Sequence, residues 1–241
     1  MTFKIIAQGA EAKIILSDNL VTKDRISKSY RIPELDNKIR KSRTKAETKL
    51  LHKASQIINC PLPINNQSLR GGGVGKPKDF KIKMPFIDGK KLSDHLDKFP
   101  LKQQKQICKQ IGEDVAKLHD AEIIHGDLTT SNMILVEKID IKNKLTNKKL
   151  NGNALLTTSS GGGVGKPQIY FIDFGLGYIS HKFEDKAVDI HLFKQALEAK
   201  HFRNWEVLFK EFEKGYNKSK DSKIVFERLK AVEKRGRYKH Q

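Results

Sequence analysis

The chain has 241 residues, 37% of them hydrophobic and 12 of them Phe, which is enough apolar material for a buried core and excludes a wholly disordered protein. Its two cysteines, Cys60 and Cys108, make neither a disulfide framework nor a metal spacing, and no apolar run nears the roughly 18–20 residues a spanning helix needs. A formal charge of +19, with an isoelectric point near 9.8, gives a strong positive field and makes nucleic acid the leading partner class; surface lysines without a partner are the bland alternative.

The start, Met-Thr-Phe-Lys-Ile-Ile, lacks the apolar stretch of a signal peptide, so a reducing cytoplasm is expected. Residues 3–8 and 12–16 read as strands joined by a turn at Gly9-Ala10, and 20–23 as a third short strand. From 34 to 59 the spacing of Leu35, Ile39, Ala46, Leu50, Leu51 and Ala54 is helical, and Pro61 and Pro63 stop it. Residues 80–87 alternate apolar and basic side chains, as a strand does, before a crossing segment at Asp88-Gly89. Helices follow at 92–99 and at 101–120, the latter with Ile107, Ile111, Val115 and Leu118 on one face. Further helices are expected at 185–200, 203–216 and 222–234, the last of them basic. The order predicts an α+β fold, a strand-rich lobe over 1–87 followed by a helical lobe over 88–241, with a cleft between them.

The heptapeptide Gly-Gly-Gly-Val-Gly-Lys-Pro occurs at 71–77 and again at 161–167. A P-loop needs a Gly six residues before the Lys and a Ser or Thr after it. Here Arg70 and Ser160 occupy the first place, and Pro77 and Pro167 the second. Both copies read as loop insertions preceding strands, and 138–168 as one extended polar loop.

Two motifs carry the chemistry: His-Gly-Asp-Leu-Thr-Thr-Ser-Asn at 125–132 and Ile-Asp-Phe-Gly at 172–175. An Asp and an Asn five positions apart, followed by Asp-Phe-Gly, form the base and metal set of a kinase-type ATP site. Asp127 would orient or deprotonate the attacking oxygen. Asn132 and Asp173 would hold Mg2+ against the β- and γ-phosphates of ATP. His125 reads as a structural residue of the loop.

The residues Val21 to Arg25, Tyr30 to Asp36 (Arg-Ile-Pro-Glu-Leu-Asp within it), Arg40 to Glu47, Gly9 to Ala12, the two motifs, Glu184 to Asp189 and Arg235-Gly236-Arg237-Tyr238 are together far more specific. They resemble the small atypical kinase/ATPase subunit of the KEOPS complex, called EKC in eukaryotes. The match spans nearly the whole chain outside 65–79 and 138–168. The resemblance implies a minimal two-lobed protein-kinase-like fold that binds Mg-ATP. It also implies a threonylcarbamoyl transferase partner, other KEOPS subunits, and work on adenosine 37 of tRNA. By that match Lys23 contacts the α/β-phosphates and Glu47 holds it. The turn Gly9, Ala10, Glu11, Ala12 caps the phosphates, and Met84, Phe86 and Ile87 supply the hinge beneath adenine. Asp189 is implied to accept hydrogen bonds from the catalytic-loop backbone. The basic tail from Arg228 to Lys239 would meet tRNA and the transferase.

Departures from an ordinary kinase are equally informative. One glycine remains of the three in the phosphate loop, Gly126 stands where an Arg would read an activation-loop phosphate, and eight residues separate Gly175 from Glu184, too few for a peptide-docking platform. ATP hydrolysis or limited phosphorylation tied to a partner fits better than conventional protein phosphorylation. A small-molecule phosphotransferase of the aminoglycoside or choline-kinase type is the alternative, since it also uses His-Gly-Asp and Asn. It leaves the basic tail unexplained. A RIO-type kinase and a non-catalytic nucleotide-sensing scaffold stand behind it.

Overall fold

A computed structural model describes residues 3–64, 80–136 and 168–237. Both copies of the heptapeptide, most of the 138–168 loop and Tyr238 lie outside the described residues.

Four strands, β1 (Lys4–Gln8), β2 (Ala12–Ser17), β3 (Leu20–Arg25) and β4 (Lys81–Pro85), form an antiparallel sheet in sequence order. Helix α1 (Pro33–Ala54) lies between β3 and β4 in the chain. Pro33 opens it at a position where a missing N–H costs nothing, and Asp36 in the first turn accepts bonds from Ser27 and Arg40. The helix ends at Ala54, earlier than its apolar pattern suggests. Ile57 and Ile58 both donate their N–H to the carbonyl of Ala54, and the turn they form puts Ile58 into the core.

After the crossing segment come β5 (Lys90–Lys91), α2 (Leu92–His95), a 3-10 turn at Leu96–Lys98, and α3 (Leu101–Asp120). Then follow β6 (Ile123–Ile124), a 3-10 turn at Thr130–Asn132, β7 (Met133–Val136), β8 (Gln168–Phe171) and β9 (Tyr178–Ile179). The chain closes with α4 (Phe183–Lys200), α5 (Trp205–Tyr216) and α6 (Ser222–Arg237). Strands β5, β7 and β8 make one small sheet, and β6 pairs with β9.

Most of the apolar core belongs to the helical part. There α3 buries Ile107, Ile111, Val115 and Leu118 against Phe193, Phe212 and Tyr216. Helices α3 and α5 approach through glycine: a Cβ at Gly112 would lie 2.1 Å from the carbonyl oxygen of Phe212, and one at Gly215 would lie 2.1 Å from that of Lys109. No helix among the described residues is long and apolar enough to cross a membrane.

Candidate active site

Strand periodicity sets the first half of the site. Alternate residues of β3 face inward, so Val21, Lys23 and Arg25 share one buried face. Lys23 Nζ lies 2.7 Å from Glu47 Oε1 and 2.6 Å from Asp173 Oδ1, bridging α1 to the Asp-Phe-Gly turn. Glu47 is only 1% exposed, and its other oxygen accepts a 2.6 Å bond from Arg25 Nη2. A buried carboxylate is tolerable only with such full pairing. Asp173 takes a left-handed backbone, with φ of 64°, which Asp tolerates better than most residues. Partial desolvation in the cleft disfavours its charge. The Lys23 ammonium and the Gly175 N–H nonetheless hold its carboxyl below the usual range.

The second half hangs from the helical core. Asp189, 1% exposed on α4, accepts the backbone N–H of His125 at 2.8 Å and that of Gly126 at 2.9 Å. His119 adds a third bond to Asp189 and a bond to the Tyr216 hydroxyl. Burial raises the cost of charge on Asp189, yet these donors hold its carboxyl below the ordinary value. Gly126 has φ of 78°, and a Cβ there would lie 2.3 Å from the carbonyl oxygen of Leu176, so only glycine fits. His125 is buried against Phe174, and burial lowers its pKa. Its Nδ1 accepts the Asp127 N–H, which assigns the proton to Nε2 facing the Ile172 carbonyl. A neutral imidazole used on both nitrogens is a strut of the loop.

Asn132 closes that loop. Its side-chain amide nitrogen donates to the Asp127 carbonyl at 2.9 Å and to Asp127 Oδ2 at 2.8 Å, while its backbone carbonyl accepts the Ile172 N–H. His201 supports the 3-10 turn from below, with Nε2 3.2 Å from the Thr130 hydroxyl.

Between the halves lies a cleft of about 370 Å3. Its walls include Ile14, Val21, Leu51, Met84, Ile134 and Ile172, an apolar slot suited to a flat base. Lys23, Glu47, Asn132 and Asp173 line one region of it, and Met84, Phe86 and Ile87 line the side where the chain crosses between the sheet and the helices. Asp127 joins the cleft through Asn132. Gly9, Ala10 and Glu11 form the β1–β2 turn and Ala12 opens β2; none of the four is among the lining residues, and Ile6 and Ala7 line the cleft from that side instead. Glu11 is turned to Arg25 and Arg43.

The donor set fits magnesium. Asp173 keeps a side chain 47% exposed, and the Asn132 amide oxygen is not used in its bonds to Asp127. Both are hard oxygen donors. Among the described residues no three His, Cys, Asp or Glu gather to enclose a metal. A magnesium ion bound by one or two side chains and a nucleotide's phosphates needs no such cage.

Sequence reasoning passed over Arg25 and His119. Arg25 stands two residues after Lys23 in a strand, so the two share a face, and that period was the available signal. His119 sits four residues after Val115 on the apolar face of α3, where nothing distinguishes it from a core residue.

No family model matches the chain. It is similar to the KEOPS complex subunit Bud32 of Pyrococcus abyssi, at 35% identity over 99% of this chain and 97% of that protein. It is also similar to an Archaeoglobus fulgidus protein named "Probable serine/threonine-protein kinase BUD32 homolog", at 34% identity over 95% of this chain and 94% of that one. A Methanobrevibacter smithii relative named "Probable bifunctional tRNA threonylcarbamoyladenosine biosynthesis protein" is 37% identical over 98% of this chain, which spans 37% of that relative's length. Among solved structures, the Rio2 kinase of Chaetomium thermophilum, in its ADP/Mg2+-phosphoaspartate complex, superposes with a TM-score of 0.51 at 13% identity, covering 98% of this chain and 70% of that one. At that identity the likeness is one of fold.

Proposed function

The chain belongs to the Bud32 family of KEOPS complex subunits, and from that premise we propose that it is a Mg-ATP-dependent atypical serine/threonine kinase/ATPase serving tRNA threonylcarbamoyladenosine synthesis. The observation that carries the chemistry is Lys23 Nζ, held between Glu47 at 2.7 Å and Asp173 at 2.6 Å at the edge of an apolar slot.

In this reading adenine occupies the slot against Val21 and Met84, with backbone contacts along Met84, Phe86 and Ile87. Lys23 turns from Asp173 to the α- and β-phosphates, and Glu47 keeps it within reach. Gly9 to Ala12 cap the phosphates. Asp173 and Asn132 would hold a magnesium ion, which would supply positive charge against the nucleotide's phosphates. Asp127 orients the attacking oxygen, water or hydroxyl, and accepts its proton. Asn132, by donating to Asp127, fixes that carboxylate where the oxygen arrives.

Partners follow from the same premise. The bifunctional relative carries a second activity within one longer chain, which supports a threonylcarbamoyl transferase as the neighbour of this one, with other KEOPS subunits beside it. The division at residues 87 and 88, a cytoplasmic location, and tRNA contact by the tail from Arg228 to Lys239 belong to this reading as well. No observation favours the small-molecule phosphotransferase.

The test is ATP hydrolysis in magnesium and in excess chelator, with the chain and its transferase partner together. Turnover that vanishes in chelator and returns with Mg2+ is the expected result. Turnover that persists without a divalent cation would refute the site. Removing residues 235–241 should weaken tRNA binding and flatten its salt dependence; an unchanged slope would remove the tail from the interface.

A further inference from the structure

The β1–β2 turn stands where a kinase has its glycine-rich loop, yet Gly9 is the one glycine between Gln8 and Ala12. Fewer glycines mean less close approach of backbone to phosphate. The turn is fastened by charge instead. Glu11 is bound by Arg43 and by Arg25, whose Nη1 lies 3.3 Å from Glu11 Oε2. The Lys28 ammonium is bonded to the carbonyl of Ala10.

Arg25 is the junction. Its side chain is 4% exposed, with one terminal nitrogen on Glu11 and the other on Glu47 at 2.6 Å. Glu47 in turn holds Lys23, and Lys23 reaches Asp173. The guanidinium also approaches the Asp-Phe-Gly turn, with Nη2 3.5 Å from the place a Cβ would take at Gly175. Its Nε is buried with no hydrogen-bond partner. The fork is therefore aimed by its two carboxylates and not by the surrounding polar groups. Arg25 places a separate terminal nitrogen on each acid, whereas a lysine reaches two acids only from one nitrogen, as Lys23 does with Glu47 and Asp173.

We propose that Arg25 is a positioning residue that couples the β1–β2 turn to the Lys23–Glu47 pair, an ionic strap that fixes the place of a turn poor in glycine. Glu47 and Glu11 share one guanidinium, so a displacement of the turn pulls on the carboxylate that sets Lys23. The inference rests on the nucleotide reading of the cleft. It adds that the affinity for ATP depends on the Glu11 side chain, which is turned to Arg25 and Arg43 and does not line the cleft.

The experiment is steady-state ATP turnover by the full chain with its transferase partner and tRNA, for wild type, Glu11→Gln, Arg25→Lys and the double variant, with a melting curve for each. Arg25→Lys keeps a positive charge beside buried Glu47 but offers one terminal nitrogen, on a shorter side chain, where Arg25 places a separate nitrogen on each acid. It should lower kcat/KM roughly 10-fold or more, because small displacements of positioning groups are costly. Glu11→Gln should raise KM for ATP about 2–5-fold, more than it lowers kcat. In the Arg25→Lys background the Glu11→Gln effect on KM should shrink. The same KM factor in both backgrounds would overturn the coupling. If Arg25→Lys does not fold, Glu11→Gln decides alone: a KM shift supports the strap, and a lowered melting temperature with unchanged KM overturns it. A wild type with no saturable dependence on ATP would instead remove the nucleotide reading, and the strap with it.

Discussion

On the helical side of the cleft, Asp127 and Asn132 are positioned by backbone groups and buried side chains: Asp189 under the His125 and Gly126 amides, His125 between two backbone partners, His119 on Tyr216. On the strand side, Lys23 and Glu47 are positioned by each other, by Arg25 and by Asp173. The packing behind them differs in the same sense. Helices α3, α4 and α5 bury Ile111, Phe193 and Phe212 completely, whereas every residue of β1 is exposed. The difference teaches that one half of the site is built before any ligand arrives. The other half is a set of charges that a nucleotide's phosphates can redistribute. Shape should govern the first half and charge the second.

The sharpest way to break this contrast is at the charge where the halves meet. Asp173→Asn keeps a side chain that tolerates the left-handed backbone but removes the negative charge. Turnover should fall about 1000-fold, the scale of a lost charge-stabilising group, with the far-ultraviolet circular dichroism unchanged. A loss under 10-fold would mean Asp173 does not hold the metal.

The helical half is tested at Asp189. Its carboxyl is held below the ordinary value, so the stability it contributes is fully present above the unfolded pKa of about 3.9 and is lost as pH falls through the lowered folded value. Asp189→Asn should cost about 3 kcal/mol at neutral pH in urea unfolding, and should flatten the acid limb of the stability profile. An unchanged acid limb would show that the Asp189 charge is not what supports the loop.

A single methyl group compares the packing directly. Gly112→Ala would drive a Cβ to 2.1 Å from the Phe212 carbonyl and should lower stability by roughly 1–3 kcal/mol. Gly9→Ala meets nothing closer than 4.0 Å and should change it by less than about 0.5 kcal/mol. Equal losses would erase the contrast between the halves. Smallest of all on stability should be Arg43→Gln, within about 0.5 kcal/mol in thermal melts, since its pair with Glu11 is 40% and 43% exposed and screened by solvent.

Much of this was legible in the sequence because it rests on local pattern. The apolar spacing of 101–120 reads directly as α3, and the two motifs place Asp127, Asn132 and Asp173 on the chain before any geometry is known. What was not legible depends on pairing at a distance. Strands β5, β6 and β9 are two residues each, and no run of that length shows a period; they are strands because β7 and each other lie alongside. The overrun of α1 past Ala54 has the same origin. Ile57 and Ile58 continue a helical pattern that the core takes up through a turn. Arg25 was hidden by abundance: among 47 Lys and Arg, its partnership with Glu47 and Glu11 appears only once β3 and α1 are packed together.

The most direct measurement is ATP hydrolysis by the wild type and by Asp127→Ala, each alone and with a threonylcarbamoyl transferase partner plus tRNA. The account predicts turnover that rises when partner and tRNA are added and that Asp127→Ala abolishes in every setting, while ATP still binds. Turnover indifferent to Asp127, or to partner and tRNA alike, would contradict it.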